Sequence, residues 1–238
     1  MNTEKLIGLP DWVKKKYEDD YWSAKERKKE EVEDMRKNVE KYMEKWGIKK
    51  RYLSASLENI KIQGQPIEKV KNFLEGKGKE GLFITGSVGA GKTYLACAIA
   101  RELIKQGVIT YFKSVPQLFM DLRTCYNSDN KYREEEIINR FINVECLILD
   151  DLGAEKTSDW TIDRLYLIID GRYTEIRKTI ITSNLSIDNI SVKKNFNEQA
   201  REEREEDFIY DRLASRIYEM CEIVILPKKD YRLEKKNE

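Results

Sequence analysis

Along the chain, short runs of consecutive apolar residues alternate with stretches in which apolar positions recur every three or four residues. The first pattern marks strands buried on both faces, the second helices with one covered face. Gly81-Leu82-Phe83-Ile84-Thr85 reads as a strand, and residues 94–106 follow as a helix, with Leu95, Ala98, Ile99 and Leu103 apolar and Gly107 as the stop. Residues 108–112, β-branched and aromatic, predict a second strand. Ser114-Val115-Pro116-Gln117 resembles a capping box with proline in the first turn, and it opens a helix through Leu118, Phe119 and Leu122. Val144-Glu145-Cys146-Leu147-Ile148-Leu149 ends in Asp150 and Asp151, Thr179-Ile180-Ile181-Thr182-Ser183 ends at Asn184, and Glu222-Ile223-Val224-Ile225-Leu226 is a last strand. Before the first strand, a helix around residues 67–74 leads into the Gly76-Lys77-Gly78-Lys79 loop.

The flanks read differently. Residues 11–46 are dominated by charge, contain no glycine or proline, and predict helix. Within them Val32, Met35, Val39, Tyr42 and Trp46 recur at spacings of three, four, three and four, a narrow apolar seam. Trp12, Tyr17, Tyr21 and Trp22 add an aromatic cluster upstream. Two readings of the seam stand side by side: it packs on the protein's own domain, or it docks a partner helix. Gly47 closes the segment, which divides the chain into a helical N-terminal segment, residues 1–50, and a main domain, residues 51–238. Residues 192–210, with Arg201-Glu202-Glu203-Arg204-Glu205-Glu206-Asp207, predict a solvated helix, and the tail from Lys228 is short and polar.

Composition narrows the picture. A chain of 238 residues holds one substantial α/β domain and a small appendage. Lysine and arginine number 44 against 43 aspartate and glutamate, so no global basic charge announces nucleic acid. The sequence has no run of apolar residues long enough for a membrane span, and Met1-Asn2-Thr3-Glu4-Lys5 lacks an apolar signal core, so a cytoplasmic protein is expected. Four scattered cysteines and no histidine argue against a zinc site or a disulfide framework.

The chemistry lies at the strand ends. Gly86-Ser87-Val88-Gly89-Ala90-Gly91-Lys92-Thr93 fits the phosphate-loop pattern at every required position, between a strand and a helix. Glycines let the backbone wind closely round a phosphate, so that its N–H groups and the helix N-terminus point at the anion. Lys92 is expected on the β- and γ-phosphates of ATP and the Thr93 hydroxyl on Mg²⁺. Asp150 is expected to coordinate Mg²⁺, Asp151 to orient the attacking water, and Asn184 to reach the γ-phosphate. Residues 51–60 are expected to cross the nucleotide's base. Lys113, Arg123, Lys131 and Arg133 surround the Pro116 helix and its outgoing Asn127-Ser128-Asp129-Asn130 turn; they read either as a solvated face or, with Lys113 and Arg123 foremost, as a DNA contact.

Asp150-Asp151-Leu152-Gly153-Ala154-Glu155, set beside Thr182-Ser183-Asn184, the 211–216 segment and Asp230-Tyr231-Arg232, resembles the DnaC-type bacterial replicative helicase loaders, grouped with IstB-like transposition ATPases in the initiator branch of the AAA+ superfamily. The resemblance covers residues 51–235. It implies a parallel five-stranded sheet of order 5-1-4-3-2 without a lid domain, ATP and Mg²⁺ as ligands, and ring or helical oligomers with the site at subunit interfaces. It further implies that Asn184 is the sensor 1 residue, Arg216 the arginine finger and Arg232 a sensor 2-like arginine, and that the Pro116 helix lies where such proteins bind single-stranded DNA. An aspartate at 151, where many AAA+ proteins have glutamate, implies slow turnover. The expected function is ATP-dependent delivery of a hexameric replicative helicase, docked through residues 1–50, to single-stranded DNA. The alternatives are an IstB-type helper of a transposase and an ATP-binding adaptor with little hydrolysis.

Overall fold

The computed structural model describes residues 28–62, 64–126, 131–154, 159–192 and 205–231. Its strands are β1 (Gly81–Thr85), β2 (Thr110–Ser114), β3 (Cys146–Leu152), β4 (Lys178–Ser183) and β5 (Cys221–Ile225). They form one sheet in the order β2-β3-β4-β1-β5, which is the expected order read from the other edge. Every neighbouring pair is parallel, and the register ends the strands together: Thr85 lies beside Ser183 and Ile225, and Ser114 beside Asp150. The carboxyl ends of a parallel sheet are where ligands bind in open α/β folds, and all the motif residues of the strands collect there.

Parallel strands need crossovers, which the helices between them supply, and three more helices precede the first strand. In chain order these are α1 (residues 28–37), α2 (Val39–Lys45), α3 (Gln65–Leu74), α4 (Lys92–Lys105), α5 (Val115–Tyr126), α6 (Lys131–Asn143), α7 (Asp159–Thr174), α8 (Ile187–Val192) and α9 (Glu205–Met220). Alternate side chains of each strand face opposite ways. Leu82, Ile84, Ile148 and Ile180 meet α3 and α4 on one side, while Phe83, Leu147, Leu149 and Ile181 meet α5, α7 and α9 on the other. Among the described residues no helix is long and apolar enough to cross a membrane.

The seam of the N-terminal helix belongs to this core. Met35, Val39, Met43, Trp46 and Ile48 are buried in the same cluster as Leu95, Ile99 and Leu103 of α4, so packing does not recognise the division at residue 50. Burial of such side chains contributes about 1.5–3 kcal/mol each. Arg101 on α4 ties the following segment down, donating through Nε to the Ala55 carbonyl at 2.8 Å and pairing with Glu40 at 3.1 Å. The Phe112 N–H of β2 donates to the Trp46 carbonyl at 2.8 Å, and Gly47 sits so close that a Cβ there would stand 2.5 Å from the Phe112 carbonyl oxygen. Residues 46–47 thus lie along the outer edge of β2. Trp12, Tyr17, Tyr21 and Trp22 lie outside the described residues, as do residues 193–204 of the charge-rich insert.

The second strand starts at Thr110 rather than at 108, because Val108 is used to close the end of α4: its N–H returns to the Leu103 carbonyl at 2.9 Å, with Gly107 at φ 84°. At the end of α7 the same kind of closure occurs without glycine. The Arg177 N–H returns to the Arg172 carbonyl at 2.9 Å, and Ile176 takes the left-handed conformation at φ 52° with 73% of its surface exposed. A β-branched residue is strained there and Ile176 has little burial to offset it. Ile176→Gly is expected to raise the unfolding free energy by about 1 kcal/mol, read as a higher urea midpoint at unchanged slope. A lower midpoint would show that the isoleucine side chain matters more than its backbone.

Candidate functional site

The phosphate loop connects β1 to α4. Gly91, at φ 89°, is the left-handed residue before the helix, and Gly89 has φ 80°. A Cβ at Gly89 would overlap the carboxylate of Asp230, which would have to shift to make room, in addition to the strain at this φ. The chain after β5 holds that approach, the Leu226 N–H donating to the Thr85 carbonyl at 2.8 Å and the Tyr231 N–H to the Gly89 carbonyl at 3.1 Å. Lys92 is 6% exposed, and its Nζ donates to the carbonyls of Gly86 and Ser87 at 2.9 and 2.8 Å. The ammonium therefore lies within the ring of the loop.

Asp150 is buried at the end of β3 and accepts two hydroxyl protons on Oδ1, from Thr93 at 2.9 Å and Thr182 at 2.7 Å. Burial pushes its pKa up, against the downward pull of these two donors. The β3–β4 register slips between Leu149 and Leu152, and Asp151 occupies the slip at φ 61°. Its N–H donates to Thr182 Oγ1 at 3.0 Å. Thr182 thus contacts both acids, a residue the motif reading passes over. The sign that could have found it is a hydroxyl at a central strand position, where a buried polar group needs a partner.

These groups open into a cleft of about 1080 Å³. Val88, Gly89, Ala90, Gly91, Lys92, Thr93, Asp150, Asp151 and Asn184 line one side. Arg51, Tyr52, Ser54, Asn59 and Ile60 line the other, where the segment expected to cross the base lies, and Tyr231 joins them. A hydroxyl and a carboxylate 2.9 Å apart are hard oxygen donors of the kind Mg²⁺ takes, and glycine backbone with a buried ammonium suits a polyphosphate. The residues present fit ATP with Mg²⁺: Thr93 and Asp150 would hold the metal, the loop and Lys92 the phosphates.

Other predicted residues stand apart. Arg216 on α9 is not among the side chains lining the cleft; its Nε pairs with Asp170 of α7 at 2.8 Å and its guanidinium lies 4.7 Å from the centre of the Tyr173 ring. Arg212, one turn earlier, donates to the Tyr166 hydroxyl at 2.6 Å. Lys113, near the end of β2, pairs with Asp121 of α5 at 2.5 Å, which balances its charge. Arg123 is exposed and lies 5.8 Å from the Trp160 ring centre. Arg232, Glu155, the 127–130 turn and the side chains of Lys131 and Arg133 lie outside the described residues.

A parallel sheet of this order, with a phosphate loop after β1 and paired acids at the end of β3, defines a P-loop protein of the AAA+ class. The chain belongs to the family described as IstB-like ATP binding protein, whose model matches residues 29–238. It is 27% identical over 191 residues to the replicative helicase loader DnaC of Buchnera aphidicola subsp. Baizongia pistaciae (strain Bp), a match that covers 74% of this chain and 78% of that protein. It is 30% identical over 183 residues to the replicative helicase loader DnaI of Bacillus subtilis (strain 168), covering 73% of this chain and 57% of DnaI, so it spans little more than half the length of that relative. The crystal structure of the DnaC helicase loader superimposes with a TM-score of 0.59 at 29% identity, covering 75% of this chain and all of that one.

Proposed function

We propose that this protein is an ATP-dependent loader of a hexameric replicative DNA helicase, which assembles with ATP at subunit interfaces and delivers the helicase to single-stranded DNA. The observation that carries the reading is the convergence of Lys92, Thr93 and Asp150 on one loop, in a chain whose relatives are named as helicase loaders. In this reading Lys92, now on the Gly86 and Ser87 carbonyls, would hold the phosphates of ATP, and Thr93 and Asp150 would hold Mg²⁺. The metal, when bound, neutralises charge developing on the phosphates. Asp151 would orient the attacking water, and Asn184, which also lines the cleft, would bind the γ-phosphate. The docking role of residues 1–50 falls to the stretch before residue 28 and the outward face of α1, since Met35, Val39 and Trp46 are turned inward. Single-stranded DNA contact rests on Arg123 more than on Lys113, whose charge Asp121 balances.

The family description favours a second reading, an IstB-type helper that serves a transposase with the same ATP site. Loading of the host's hexameric helicase onto circular single-stranded DNA decides between them. ATP-dependent loading is expected with the parent protein and not with Lys92→Ala, whose ATP affinity should fall about 10- to 100-fold while its circular dichroism is unchanged. Capture of a transposase and no helicase transfer would establish the second reading. Equal ATP affinity in folded Lys92→Ala would remove the lysine from the site and the proposal with it.

A further inference from the structure

The geometry points to Thr182 as a positioning residue that sets the place of both acids through one hydroxyl group, an inference that rests on the ATPase reading of the site. Thr182 is fully buried on β4, two residues before Asn184. A threonine hydroxyl has one proton to give and lone pairs to receive. Here the proton goes to Asp150 Oδ1 at 2.7 Å and the oxygen accepts the Asp151 N–H at 3.0 Å. The direction of the first bond follows from the second, because the oxygen that accepts an N–H must point its own proton elsewhere, and a buried carboxylate is the acceptor at hand.

The two bonds do different things. The bond to Asp150 shares Oδ1 with Thr93, so when Thr93 turns to a metal Thr182 keeps the carboxylate oriented. The bond from Asp151 closes the register slip between β3 and β4: the N–H that regular pairing would leave to a neighbouring carbonyl is taken by a side chain, and the backbone is held at φ 61°. An aspartate at that φ is costly unless its surroundings fix it. Strand β4 therefore supplies the fixing group for Asp151 from its interior and the sensor candidate Asn184 from its end. Thr182 is not among the residues that line the cleft, so its effect passes through the acids it holds.

Thr182→Val keeps the shape and removes the hydroxyl, and Thr182→Ser keeps the hydroxyl and removes a methyl. The expected result for Thr182→Val is a kcat for ATP hydrolysis lowered about 10- to 100-fold, with the affinity for Mg²⁺-ATP within about threefold of the parent. Thr182→Ser should recover kcat to within about threefold. Amide hydrogen exchange supplies a readout that needs no turnover: the Asp151 amide should exchange faster in Thr182→Val and be protected again in Thr182→Ser, while the amides of β1 keep their protection. A valine variant with parental kcat and a protected Asp151 amide overturns the inference. So does a serine variant as impaired as the valine, which would make the methyl and its packing the relevant feature. If the parent protein hydrolyses no ATP with helicase and DNA present, the ATPase reading fails, and the exchange data still decide whether Thr182 holds Asp151.

Discussion

Arg172→Ala is expected to lower the unfolding free energy by about 3–5 kcal/mol, a large part of the stability of a domain this size. Arg172 is fully buried, and among the described residues its hydrogen-bond partners are carbonyl groups and a hydroxyl. Its guanidinium closes off the end of α6 and the start of β4: one terminal nitrogen donates to the carbonyls of Phe141, Ile142 and Val144 at 2.6–3.0 Å, the other to that of Lys178, and Nε to the Thr179 hydroxyl at 2.9 Å. Burial lowers its pKa to about 10, which leaves it charged at neutral pH. Alanine would leave a cavity and several carbonyl groups buried without donors, each deficit costing on its own. Lysine offers no substitute, because three hydrogens on one nitrogen do not span groups arranged around a planar fork. Urea denaturation followed by circular dichroism measures the loss for both variants. A shift under about 1 kcal/mol for Arg172→Ala would mean that water enters and satisfies the same carbonyls.

Arg216→Ala is expected to bind ATP nearly as the parent does and to hydrolyse it about 10³-fold more slowly, on the reading that Arg216 reaches the ATP of a neighbouring subunit. Within its own chain the guanidinium rests on Asp170 and the Tyr173 ring, with the Arg216 and Asp170 side chains about one-third exposed at 34% and 35%. That contact holds Asp170 below the usual carboxylate range and raises Arg216. An exposed ion pair of this kind contributes little to stability, so Arg216→Ala should fold normally and its defect should be kinetic. The parent's ATPase activity per subunit should rise with protein concentration. Mixing Arg216→Ala with Lys92→Ala should restore some activity, since one kind of interface then pairs an intact loop with an intact arginine. Arg212→Ala is the control and should change little, its guanidinium being engaged with the Tyr166 ring and hydroxyl. Assembled mixtures without activity would place Arg216 outside the shared site.

How far the sequence reveals these features depends on whether the physics that demands a residue is local. The phosphate loop is legible because a backbone that wraps an anion imposes glycines at fixed offsets, and Gly89 and Gly91 carry the positive φ values that explain them. The strands are legible because burial on both faces makes continuous apolar runs. Helices α6 and α7 receive no assignment from the pattern. In α7 the inward stripe runs Thr161, Ile162, Leu165, Ile168, Ile169 and Arg172, and an arginine in a core position disguises it, while the exposed Leu167 blurs the other face. Thr182 is hidden for a related reason: threonine is an ordinary strand residue, and only the slip beside it reveals what its hydroxyl holds. The seam from Val32 to Trp46 is visible as a covered face, but periodicity does not say what covers it, and the answer is α4 of the same chain. The pairing of Asp170 with Arg216 joins residues 46 apart in sequence and has no local trace.

The lie of residues 46–47 along β2 bears on where this protein is safely cut. A start at Arg51, which the motifs alone would suggest, strips the outer strand of the cover that residues 46–48 give it: the Phe112 N–H loses the Trp46 carbonyl and the slot that held Trp46 and Ile48 opens. A bare strand edge beside an apolar slot is a template for another chain to pair with. A truncation of that kind would aggregate, and its failure to capture a helicase would say nothing about docking. A shortened chain that keeps α1 and α2 keeps this edge covered, so the edge of the sheet, and not the first motif, sets where a cut can fall.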